Sequence, residues 1–199
     1  MKVSEIIKLA SILVGDSDVT NAITEIENVG ESGKTIDISD SIKNKIQKYI
    51  SCLNLTIDRI ATSFVTLKNT EAMISDSEGK IPYSSFSNKL IEVRRVVDSS
   101  TGSELKFTAL PFHLYLPYAN RRVLVECKIM PQEVALVTDN IELPPIITPR
   151  ILSLGVASDL LLSLNVFDES KFWNEKFESA LMSALTTRHN LYVAKRKFM

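Results

Sequence analysis

This sequence is short of most residues from which chemistry is built. It holds two cysteines and two histidines in 199 residues, only six glycines, and a net charge of -1 at pH 7. Cys52 and Cys127 lie far apart with no CxxC spacing, and His113 and His189 stand at no ligand distance from them, so no metal site is expected. Cys52 falls on an amphipathic helical pattern and Cys127 on an alternating strand pattern. Both read as buried small hydrophobes in a reducing compartment. The near-zero net charge gives no global reason to expect nucleic acid or an acidic substrate. Long hydrophobic runs are missing as well. The most apolar stretch, 151–167, is interrupted by Ser153, Ser158, Asp159, Ser163 and Asn165, too polar and too short for a membrane span. The opening Met1-Lys2-Val3-Ser4-Glu5 is broken by charge, unlike the apolar core of a signal peptide, so the chain is expected to stay in the cytoplasm of its cell unless a particle carries it out.

What is present suits an ordinary globular core, with 45% hydrophobic and 24% charged residues. Val3, Ile6, Ile7, Ala10, Leu13 and Val14 recur at helical spacing, and Gly15 stops that helix. Residues 15–38 are polar and acidic and predict a loop, with a loose hairpin from 23–26 and 36–38. Ser39 then caps the longest helix, on which Ile42, Ile46, Tyr49, Ile50, Leu53, Ile57, Ile60, Ala61 and Phe64 share one stripe. About 25 residues at the helical rise span roughly 38 Å, and such a face must pack on other helices.

The pattern changes after Lys68. Turn residues cluster at 75–79, 98–102 and 118–120, with β-type runs at 90–97, 105–107 and 123–129 between them. The runs 90–97 and 104–109 predict a hairpin, and with no helix between strands the sheet should be antiparallel. Helix returns at Thr148-Pro149, an N-cap followed by proline at the first helical position. A tight link at 165–167 leads to a last helix capped by Asp168 or Ser170. Phe172, Trp173, Phe177, Ala180, Leu181, Ala184 and Leu185 form its apolar face. The expected fold is α+β: a helical core of two N-terminal and two C-terminal helices with an inserted antiparallel β lobe. Its expected parts are 1–68, 69–147, 148–187 and a basic tail, 188–199.

Three patterns invite a chemical reading. Gly30-Glu31-Ser32-Gly33-Lys34-Thr35 approaches a phosphate-binding loop, but the first required glycine is Asn28, and Ile36-Asp37-Ile38 alternates like a strand instead of opening a helix. The hydrophobic run 160–168 suits a helix and a cap better than a Walker B strand, and βαβ alternation is lacking. Carboxylate pairs Asp76/Glu78 and Asp168/Glu169 fall in turns or at a helix start, where acids favour the macrodipole. With only His113 and His189 as bases, no triad is expected, no enzyme activity and no cofactor. The tail Arg188, Leu191, Tyr192, Lys195, Arg196, Lys197 and Phe198 has two readings. Either it extends the last helix, its cations favouring the C-terminal dipole, or it orders on meeting a partner.

The order of motifs resembles phage head-to-tail adaptor proteins, also called head completion or tail tubular proteins. The strand Val123-Leu124-Val125-Glu126-Cys127-Lys128-Ile129-Met130-Pro131 is followed by Thr138-Asp139-Asn140-Ile141-Glu142-Leu143-Pro144. Then come the helix Ile151-Leu152-Ser153-Leu154-Gly155-Val156-Ala157 and the segment Phe172-Trp173-Asn174-Glu175-Lys176-Phe177, with Ala180-Leu181 beyond it. Leu53-Asn54 on the long helix adds to the likeness. The resemblance implies a virion protein, made in the host cytoplasm and placed at the portal vertex. It would form a ring of usually about twelve copies docked on the portal protein, joined to the tail or further connector proteins, with DNA passing its lumen unread. It also implies that the segment 188–199 reaches the portal. The alternatives from other classes are a non-catalytic α+β interaction or scaffolding module, and a nucleotide-binding protein acting through 30–35.

Overall fold

The computed structural model describes residues 1–30 and 39–186. Three helices come first: α1 (Val3–Val14), α2 (Ser17–Gly30) and α3 (Asp40–Ser63). Seven strands follow: β1 (Lys68–Ile74), β2 (Lys80–Pro82), β3 (Leu90–Asp98), β4 (Glu104–Leu105), β5 (Thr108–Ala109), β6 (His113–Tyr115) and β7 (Arg122–Ile129). The described chain ends with α4 (Pro149–Ser163) and α5 (Phe167–Thr186). The fold is α+β with an inserted antiparallel β lobe. By contact density it divides into Met1–Ile57 with the chain from Glu133 onward, and Asp58–Gln132. Residues 133–147 thus group with the helices, and the end of α3 groups with the strands.

In the helical unit, α1 forms and stops as its sequence dictates. Val3, Ile6, Ile7 and Ala10 are fully buried, and Gly15 closes the helix at φ 78°, a left-handed conformation glycine takes without strain. The expected loop at 15–38 is a misreading in its first half, because α2 occupies 17–30. Asp16 starts this helix, its Oδ1 accepting from Val19 N–H at 3.4 Å and its backbone carbonyl from Thr20 N–H at 3.1 Å. Val19, Ala22 and Ile23 then bury at i, i+3, i+4. The first arm of the expected hairpin is therefore helical, and its second arm, 36–38, lies outside the described residues.

The stripe expected on α3 is buried at Ile46, Tyr49, Ile50, Leu53, Ile57, Ile60 and Ala61. Thr148 caps α4 with its side chain over Ile151 N–H and Pro149 at N1, as expected. α4 is buried on most of its circumference, at Ile151, Leu152, Val156, Ala157, Leu160 and Leu161. Gly155 lies among them because there is no room for more. A Cβ there would fall 2.5 Å from Thr56 Cγ2 and 3.1 Å from Phe177 Cε2.

The β unit holds two sheets. One has the order β1-β7-β3-β4 and the other β2-β6-β5, all pairs antiparallel. Val96, Val123, Val125 and Cys127 meet Ile81, Leu114 and Leu116 in a core that also buries Phe86. The run 104–109, expected as one hairpin arm, is divided between the sheets. Glu104–Leu105 pairs with β3 and Thr108–Ala109 with β6. The hairpin turn itself is as expected and is built on Asp98. Its buried carboxylate accepts from the Ser100 hydroxyl at 2.5 Å, from Ser100 N–H at 2.8 Å and from Arg121 Nε at 2.7 Å. Gly102 completes the turn at φ 69°.

Two outcomes follow from these contacts. Gly155→Ala should destabilise the protein by about 2 kcal/mol in denaturant unfolding, and adding Thr56→Ser should recover part of the loss; equal stability of Gly155→Ala and the parent would refute the close approach. The bonds from Ser100, then Arg121, hold the Asp98 carboxyl well below its ordinary 3.8. A carboxyl depressed in the folded state favours folding above its unfolded pKa, and that contribution is lost as pH falls. The melting temperature should therefore drop on acidification below about pH 4, and drop less in Asp98→Asn, which should also be less stable at neutral pH.

Candidate interaction surfaces

The motif residues 138–144 fasten the helical unit together. Asp139 Oδ2 accepts from Ala135 N–H at 3.0 Å and Leu136 N–H at 2.8 Å, closing a turn. Its carbonyl takes Val3 N–H at 3.1 Å. The Met1 amino group donates to Ile141 O at 2.9 Å, and Ile141 N–H returns a bond to Met1 O at 2.8 Å. Asn54 on α3 pins the chain just before this segment, its Nδ2 donating to Val134 O and its Oδ1 accepting from Val134 N–H, both at 2.9 Å. Ile141 and Ile147 are buried beneath. Residues 134–141 thus form a strap tied by backbone hydrogen bonds to the N-terminus and to α3.

The strap leads into the α4–α5 hairpin. Asn165 turns the chain at φ 62°, and Val166 O accepts from Ser170 N–H at 3.0 Å. Contrary to the expectation from sequence, neither Asp168 nor Ser170 caps α5, because the helix already begins at Phe167. Asp168 sits in the first turn, while Ser170 is buried and exchanges bonds with Ser158: Ser158 Oγ donates to Ser170 O at 3.0 Å and Ser170 Oγ to Ser158 O at 2.9 Å. Serine packs here because its small side chain lets two backbones approach while satisfying their carbonyls. Of the expected apolar face of α5, Phe177 and Leu181 are buried, but Phe172 is half exposed. Its ring packs edge-on against Trp173 at 5.0 Å, with Lys176 Nζ 5.4 Å from its centroid.

This leaves large apolar groups facing water. Leu162, Leu164, Val166 and Phe167 are exposed in close succession at the hairpin tip. In the β unit, Phe112 is 83% exposed at the two-residue turn between β5 and β6, next to the exposed Leu110. Single exposed hydrophobics are ordinary, whereas grouped ones mark contact surfaces. Sequence periodicity missed both groups, since spacing tells which residues could share a face and not what lies opposite.

The residues singled out for chemistry are dispersed. The tail residues Arg188, Leu191, Tyr192, Lys195, Arg196, Lys197 and Phe198, together with His189, lie outside the described residues. So do 31–35 of the phosphate-loop-like segment, whose Gly30 ends α2. The run 160–168 belongs to α4, the tip and the start of α5, so it is no strand. His113 is half-buried in β6. Asp76 shapes a turn, accepting from Lys80 N–H at 2.7 Å and Glu78 N–H at 2.8 Å, bonds that lower its pKa. Among the described residues no three His, Cys, Asp or Glu side chains come together as a metal site. No described helix is long and apolar enough to cross a membrane. Comparison with known proteins finds no family model and no curated protein that matches this chain.

Both cysteines are free and buried. Burial, with Asp159 nearby, pushes the Cys52 thiol up to about 11, and burial likewise raises Cys127, whose Sγ–H points to Asn69 O at 3.5 Å. The thiolate is the reactive form, so both should be inert in the folded protein. A maleimide or iodoacetamide at about pH 8 should label neither thiol in native protein and both in denaturant; fast labelling of native protein would contradict their burial.

Proposed function

We propose that this chain is a structural subunit of a phage head-to-tail connector, forming a ring that docks on the portal protein, joins the tail and surrounds the DNA passage. The observation carrying this reading is the coincidence of motif order with architecture. The Thr138-to-Pro144 motif lies in the strap, the following motif is the α4–α5 hairpin, and Asn54, the third point of likeness, pins the strap at its start, Val134. A β lobe inserted between two helical segments is the layout expected from the resemblance. Grouped apolar side chains at the hairpin tip suit a protein whose work is contact with neighbours. On this reading the protein belongs to the virion and works without catalysis or cofactor, and 188–199 contributes the attachment to the portal.

Native mass measured alone and with portal protein tests the assignment. A ring or a portal-bound assembly is expected; a chain that stays monomeric and never binds portal would overturn it. Removing 188–199 should leave the thermal transition in place while weakening portal binding at least tenfold, roughly the loss of 1.4 kcal/mol of contact. Unchanged binding would show that the tail is not the anchor.

A further inference from the structure

The exposed group at the tip of the α4–α5 hairpin is small, apolar and acidic. Leu162, Leu164, Val166 and Phe167 are between 37% and 62% exposed, and Asp168 and Glu169 follow them directly, both exposed. No ion pair takes either carboxylate among the described residues, and residues 162–169 contain no cation. These eight residues are far fewer than the roughly 20–30 that each side of a folded protein–protein interface supplies. A short segment of chain fits such a surface better than a second folded face does. That segment should bring apolar side chains and positive charge together.

We propose that the tip is covered by residues 188–199 of the next copy in the ring. This rests on the ring reading above and names the contact that would join its copies. Residues 188–199 lie outside the described residues, but their sequence supplies what the tip lacks. Arg188, Lys195, Arg196 and Lys197 come with no acid among them, and Leu191, Tyr192, Val193 and Phe198 are apolar. Apolar groups meet apolar groups and cations meet Asp168 and Glu169, so the two surfaces match in both respects.

Reach decides whose tail it is. α5 rises about 28 Å between Phe167 and Thr186, so the tip and the point where the tail leaves lie at opposite ends of one helix. Leu191 and Tyr192 are five and six residues beyond Thr186 and stay within about 18 and 22 Å of it when the chain is fully extended. Doubling back along α5 takes some of those residues for the turn, so they fall short of their own tip and can cover only another copy's. Each copy then gives one tail and receives one, a head-to-tail contact of the kind that closes rings. A tail used in this way serves portal attachment through the ring, whose joined copies hold one portal together.

The test uses the full chain carrying Ser163→Cys and Asn190→Cys, oxidised and run on a non-reducing denaturing gel, with native mass recorded before oxidation, both alone and with portal protein. Asn190 is four residues from Thr186 and cannot reach its own Ser163, and Cys52 and Cys127 are buried, so each new disulfide joins two copies. Trimers and longer covalent ladders are expected from the double variant, and nothing beyond a dimer from either single variant. A double variant that stops at dimers would overturn the ring contact in favour of a two-fold exchange. Rings by native mass without a ladder would overturn this contact and leave the ring reading standing. A chain monomeric under every condition would overturn both. Charge reversal supplies an independent check. Asp168→Lys with Glu169→Lys should weaken ring assembly at least about tenfold, and adding Lys195→Glu with Arg196→Glu should restore it, with melting temperature recorded to confirm the fold. No loss from the first pair, or no recovery from the second, would refute the contact.

Discussion

The helical unit depends on how closely α4 can approach its neighbours. At Gly155 the absence of a side chain lets Thr56 of α3 and Phe177 of α5 converge on one point of α4. One turn further on, Ser158 and Ser170 let α4 and α5 exchange bonds between side-chain hydroxyls and backbone carbonyls. Thr56 Oγ1 also reaches Asp159 Oδ2 at 3.0 Å, so the same helix surface is both apolar and hydrogen-bonded. Small residues therefore set the interaxial distance, and the larger ones, Leu152, Val156 and Leu160, fill what remains. A helix enclosed on most sides has a weak amphipathic pattern, which is why α4 reads from sequence as an almost continuous apolar run.

The β unit obeys a different constraint. Four of its seven strands have three residues or fewer, so much of its order comes from turn chemistry. Asp98 and Asp76 each gather backbone N–H donors into a fixed turn, and glycines at 79 and 102 take positive φ in those same turns. The chain between β4 and β5 then crosses from one sheet to the other, holding Phe107 against the core as it passes. That crossing is what leaves the first half of β3 uncovered. An open edge is here the consequence of making two sheets from one strand-like run.

How much of this was legible depended on whether a feature is local. Helices α1, α3 and α4 carried long stripes and explicit stop or start residues, Gly15, Ser39 and Thr148-Pro149. Helix α2 was hidden because among its described side chains only Val19, Ala22 and Ile23 are buried, and its β-branched Val, Thr and Ile imitate a strand. The turns at 98–102 and 75–79 were legible since Asp and Gly act on their own neighbours. The division of 104–109 between two sheets was not, as pairing is decided by residues far away in sequence. Phe172 is a different case: five residues before Phe177, it lies about 140° around the helix from it, so grouping the two on one apolar face was a misreading of the period, and only Phe177 is buried. The strap was noticed as a motif, but its mechanism, Asn54 pinning Val134, became visible only when two segments eighty residues apart met.

An edge is the least legible feature of all. A strand's own residues show whether it can pair, never how many neighbours it has. Proteins that are to remain single usually shorten such edges or place proline and charge on them, as β2, β4 and β5 do. The first half of β3 is guarded in another way: its register against β7 shifts between Leu90 and Glu92 and again between Val93 and Arg95, and such bulges bend a strand so that its free edge no longer offers a regular ladder.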